Sequence, residues 1–164
     1  MTKQKEVNVK IVSAYTFREA FLILKKVFDS GSVVSDLRAI GLAIPIAVNC
    51  AFTCEMFLKS FLSEANIVQL KNNNKAHKLD ELFICLKETT KKDIVERVII
   101  KMGKGYDESQ FYNDLTKNSN AFVEWRYFFE KQNHFSSQFM DRFQEALFIF
   151  AGDNDVGYNE QPDY

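Results

Sequence analysis

From Ala39 to Cys54 the chain carries no charged side chain, and that stretch restricts what it can fold into more than any other. A run this apolar must be covered on most sides to leave water. It is shorter than the ~20 residues a helix needs to cross a bilayer, and Gly41, Pro45 and Asn49 interrupt it. The reading is a central helix buried in a core. Elsewhere the chain has few turn-formers, with 2 Pro and 6 Gly in 164 residues, too few for the many tight turns of a sandwich or barrel. That length is near the usual size of one domain. The expected fold class is therefore all-α, a bundle of four to five core helices with short flanking helices, forming one domain over residues 1–151.

Apolar side chains recur at helical spacing along most of the chain. Over Tyr15–Asp29 the stripe is Phe17, Phe21, Leu24 and Phe28, with Arg18, Lys25 and Lys26 off it and Gly31 as the stop. Ser35 or Asp36 can cap the next helix, which Pro45 either starts or kinks. From Ile46 to Glu64 the pattern runs unbroken into the polar loop Gln69–Lys75. Helices are then predicted over His77–Thr89 and Asp93–Met102, the second stopped by Gly103 and Gly105. Asp107 opens another, with Phe111, Tyr112 and Leu115 on its apolar side. Asn118 and Asn120 separate it from Ala121–Lys131, and Ser137–Ala151 follows with Phe139, Phe143, Leu147 and Phe150. Gly152–Tyr164 has no apolar period and is expected to be a disordered acidic tail.

A formal net charge of -1 gives no global attraction to nucleic acid or anionic membrane, so any RNA surface has to be a local patch. The densest basic region is Lys87, Lys91, Lys92, Arg97, Lys101 and Lys104. Its spacing suits tracking of phosphates, but Glu88, Asp93 and Glu96 interrupt it as they would an ordinary solvated helix face. Cys50, Cys54 and Cys85 contain no Cys-x-x-Cys pair, so buried thiols in a reducing compartment are expected rather than a disulfide or zinc framework. Met1–Lys10 has charge with no apolar run behind it, unlike a secretory signal, and the expected location is cytoplasmic.

Phosphate loops, nucleophile elbows and metal helices are absent from the sequence, and His77 and His134 are not at ligand spacing. No metal or cofactor is expected. What remains is a set of polar residues in apolar helices. Glu55 and Lys59, four apart, can pair along one helix face. Arg126 is flanked by Trp125, Tyr127, Phe128 and Phe129. A guanidinium among so many rings needs a carboxylate or carbonyl partner, for which Glu130 and Glu55 are candidates. His77 follows a loop, where it can cap or contact a neighbouring helix.

Three segments together resemble a known family. Ala51–Lys59 (Ala-Phe-Thr-Cys-Glu-Met-Phe-Leu-Lys), Ala76–Leu82 (Ala-His-Lys-Leu-Asp-Glu-Leu) and Trp125-Arg126-Tyr127 are similar in order and spacing to bacterial HEPN domains. The resemblance covers roughly residues 40–150. It implies a helical bundle that pairs as a homodimer, within a toxin–antitoxin or antiviral defence system, and in many members a metal-independent ribonuclease. Active members carry an Arg followed four to six residues later by a His. Here Arg126 fits the Arg, but His134 is eight positions on, about 80° around an unbroken helix. The catalytic candidates are Arg126, His134 and His77, set in a polar cluster of Glu55, Lys59, Tyr127 and Glu130. The leading expectation is an RNA-directed module, either a ribonuclease with a displaced His or a relative that binds without cutting. The alternative is a non-enzymatic subunit whose rings dock a protein partner such as an antitoxin. Large rings in excess of one small core favour burial against a second copy: Phe139, Phe143, Leu147 and Phe150 make one stripe of the last helix, Phe135 and Phe148 fall off it, and the Trp125 helix carries Phe122, Tyr127, Phe128 and Phe129 around more than one face.

Overall fold

A computed structural model describes residues 8–31, 36–126 and 137–156, with backbone only at 36–40, 125 and 126. Among the described residues every regular element is a helix: α1 (Val9–Asp29), α2 (Asp36–Ser60), α3 (Glu64–Asn72), α4 (Leu79–Ile84), α5 (Glu88–Met102), α6 (Glu108–Lys117), α7 (Ala121–Arg126) and α8 (Ser137–Asp153). The all-α bundle is the observed architecture.

The uncharged run lies in α2, which packs against α1, α4, α7 and α8. Pro45 neither starts nor ends this helix, which begins nine residues earlier, at Asp36. Asn49 Nδ2 donates to the Pro45 carbonyl (2.7 Å), and Thr53 Oγ1 to the Asn49 carbonyl (2.7 Å). Both polar side chains are thus satisfied by their own helix, which lets them sit in an apolar segment. Gly41–Ser60 is long and apolar enough to cross a membrane by length and composition, and 44% of it is buried within the protein. The predicted unbroken run to Glu64 is not observed. α2 stops at Ser60, and Ser63 caps a separate α3 by accepting from the Asn66 N–H (3.3 Å).

α1 runs antiparallel to α2, with Tyr15 and Phe17 against Phe57 and Phe52. Its inner face differs from the predicted stripe: Ile11, Ala14 and Phe21 are buried, while Phe17 and Phe28 stay 36% and 40% exposed. Ile11, Ala14, Arg18 and Phe21 follow one another at helical spacing, so the true stripe passes through a cation. The Arg18 guanidinium lies 3.7 Å from the centre of the Phe148 ring, and its Nε donates to Gln144 Oε1 (3.0 Å). Burial pulls its pKa down while Glu19 and Glu145 oppose the shift. A long side chain with an apolar stem and a ring beneath its head can occupy a core-facing position.

α8 runs alongside α2, from Cys50 Sγ against the Met140 carbonyl (3.5 Å) to Phe61 against Phe150 (5.1 Å). Its Phe139, Phe143, Leu147 and Phe150 are buried in the chain's own core, with Phe139 and Phe143 against Phe83 and Phe111 at one end and Phe150 against Phe61 at the other. That stripe therefore leaves no ring surface for a second copy. α8 also continues past Ala151 to Asp153, which pairs with Arg97 (2.8 Å), and Val156 packs on the core. The remainder of the predicted tail, 157–164, lies outside the described residues.

The stops around α5 and α6 follow the sequence reading. Gly103, with φ 91°, ends α5 in a backbone conformation that side chains disfavour. Asp107 and Gln110 form a reciprocal capping box at the start of α6. Cys50 and Cys54 are buried, and desolvation pushes the Cys54 thiol up, whereas Cys85 is exposed.

Candidate functional site

The polar centre of the molecule forms where three segments meet: the last turns of α2, the loop before α4, and the start of α7. Glu55 is fully buried on α2. Its Oε1 accepts from Lys59 Nζ (2.6 Å), one turn on, and is 2.9 Å from His77 Nδ1. A carboxylate only accepts, so Nδ1 donates to it and Nε2 is the nitrogen left facing outward from that bond. Glu55 Oε2 is buried and has no hydrogen-bond partner among the described residues. An orphaned acceptor of that kind is unusual in a folded protein.

His77 is delivered by a loop pinned at both ends. The Lys75 N–H donates to the Leu70 carbonyl (2.8 Å), and the Lys78 N–H to the Lys75 carbonyl (3.0 Å). α4 starts at Leu79, so His77 sits in the turn before the helix and does not open it. The Leu79 N–H then donates to the Ser119 carbonyl (3.0 Å), while the Ser119 hydroxyl donates to Asp80. These bonds hold the His77 loop against the α6–α7 turn and bring the ring over Phe122, with centroids 6.4 Å apart and planes inclined by 28°. The His77 side chain is 60% exposed.

Of the predicted site residues, Glu55, Lys59 and His77 come together. The contact between Glu55 and His77 spans 22 positions and was not among the predicted pairs. The Arg126 backbone closes α7, which packs on α2, and its side chain is outside the described set. Position 126 is one turn past Phe122, about 40° further around. Tyr127, Glu130 and His134 lie outside the described residues. The sequence reading also missed an aromatic column beside the cluster: Phe17 meets Phe52 edge-on at 4.4 Å, and Phe52 stacks on Phe122 at 4.7 Å. Nothing local in the sequence marks this column, because its members come from three helices.

Of the six cations in the basic region on and beside α5, three are engaged in ion pairs and so are not free to track phosphates. Lys91 pairs with Glu88 (2.5 Å), Arg97 with Asp93 and Asp153, and Lys101 with Glu145 (3.0 Å). Among the described residues no group of three or more His, Cys, Asp or Glu side chains could hold a metal ion. Comparison with protein-family models, with curated proteins and with solved structures gives no match for this chain.

Proposed function

We propose that this chain is a HEPN-like RNA-directed domain whose working group is the His77 imidazole. The observation that carries the proposal is a solvent-facing ring whose Nδ1 is tied to a fully buried carboxylate. In that arrangement Nε2 is a fixed base at the surface, in the manner of the carboxylate-oriented imidazoles of other hydrolytic sites. Arg126 takes the role that the resemblance implies for it, its guanidinium meeting the phosphate. His77 takes the proton of a ribose 2′-hydroxyl, the 2′-oxygen bonds to phosphorus, and the 5′-oxygen leaves and is protonated. The backbone is cut to a 2′,3′-cyclic phosphate without a metal.

RNA is favoured over a docked protein because Phe139, Phe143 and Phe150 of α8 lie within the chain's own core and not on an exposed patch. The test is incubation of the full chain with single-stranded RNA in excess chelator. Cutting should yield cyclic-phosphate ends, and His77→Ala should slow it about 100-fold. Cutting that His77→Ala leaves unchanged would remove His77 from the chemistry, and a chain that neither binds nor cuts RNA would end the RNA reading.

The resemblance also brings two-fold pairing and the setting of a bacterial toxin–antitoxin or defence system, with an antitoxin as a further protein partner. Among the described residues, α1 carries a run of exposed apolar side chains that would suit such pairing: Val9, Val12, Ile23 and Val27. Light scattering at micromolar concentration should give twice the chain mass of 19.0 kDa, and Ile23→Glu should return it to the single-chain value. A wild-type monomer would remove the pairing.

A further inference from the structure

We propose that the outer face of His77 is a stacking platform for one unpaired nucleobase; this rests on the RNA reading and narrows it. His77 is the exposed end of the column Phe17, Phe52, Phe122, His77. Phe122 lies alongside the imidazole with ring centroids 6.4 Å apart, Glu55 holds Nδ1 (2.9 Å), and 60% of the side chain is open to a ligand. An exposed histidine ordinarily samples several rotamers. This one is held by a buried charge on one side and a ring on another, so a planar ligand meets a preformed surface and orders little on binding.

A flat, preoriented ring at the end of an aromatic column fits the π-face of a base, and stacking of this kind tolerates any sequence. Bases within a duplex already have neighbours on both faces, so the platform selects single-stranded or looped RNA. The stacking step also positions the strand: a base held on the ring keeps its own ribose near the Nε2 edge, where the proposed proton transfer occurs.

The experiment is fluorescence anisotropy of the full chain with a short 5′-labelled 2′-O-methyl oligoadenylate, which cannot be cut through its 2′-oxygen, and with a duplex of the same length. Two variants separate the ring from the charge. His77→Ala removes the platform, and His77→Phe keeps a ring while losing the Glu55 contact. The wild type should prefer the single strand, His77→Ala should weaken it about 10-fold, and His77→Phe should stay within about 3-fold of wild type. Circular dichroism confirms that both variants fold. If His77→Phe falls as far as His77→Ala, or if His77→Ala binds as wild type does, the platform is overturned while the RNA reading stands. If the wild type binds neither oligonucleotide, both are overturned.

Discussion

Phe111→Ala should lower the free energy of unfolding by about 4 kcal/mol. The ring has no exposure and joins the helices of the distal core: it meets Phe83 of α4 (5.2 Å), and Phe139 (5.7 Å) and Phe143 (5.9 Å) of α8. Truncation removes the transfer free energy of a whole ring and leaves a cavity that other rigid rings cannot close, which is why the upper part of the range for Phe→Ala applies. The loss is a large share of the roughly 5–15 kcal/mol that holds a domain together. α6 also ends in the turn that holds the Leu79 N–H and leads into Phe122, so the cavity would loosen the support beneath His77. Urea unfolding should give a lower midpoint with an unchanged slope. Ile100→Ala, at a side chain 71% exposed on α5, should stay within about 0.5 kcal/mol of wild type. A Phe111→Ala loss under about 1.5 kcal/mol would mean that the ring does not link α4 and α8 as described.

The sequence was informative where the determining chemistry is local. Gly103 as a stop and Asp107 with Gln110 as a start are decided within four residues, and both stand in the structure. It was less informative where a residue's role depends on what lies across from it. On α1 the stripe was drawn through Phe17 and Phe28 because Arg18 counts as polar, yet Phe148 from α8 gives Arg18 a ring to lie on. Likewise Pro45 suggests a helix boundary, but packing on several sides carries α2 through it. At the site, the Glu55–Lys59 pair was legible from its spacing of four. His77 was visible as a candidate but its partner was not, since the loop that brings it to Glu55 is set by contacts from α3 and the α6–α7 turn.

Glu55→Ala should destabilise the protein by about 3 kcal/mol, and the reason is the ammonium it leaves behind. Lys59 is 8% exposed and its Nζ donates to Glu55 Oε1 (2.6 Å). Without the carboxylate that charge stays in an apolar setting with no counter-ion, or the side chain must rearrange to reach water. His77 contributes much less to the loss, because at 60% exposure its Nδ1 can turn to solvent. The pair itself is a different matter from either half of it: desolvating two charges offsets most of their attraction, so an apolar replacement of both is tolerated far better than loss of one. Glu55→Met combined with Lys59→Met should therefore recover most of the 3 kcal/mol, and the double-mutant cycle should report a coupling above about 1 kcal/mol. The double variant should also lose RNA activity even though it is folded, since His77 then has no carboxylate to fix its tautomer or its orientation over Phe122. A Glu55→Ala loss under about 0.5 kcal/mol would show the carboxylate to be solvated, and with it the anchored imidazole, the proposed base and the stacking platform would all lose their foundation.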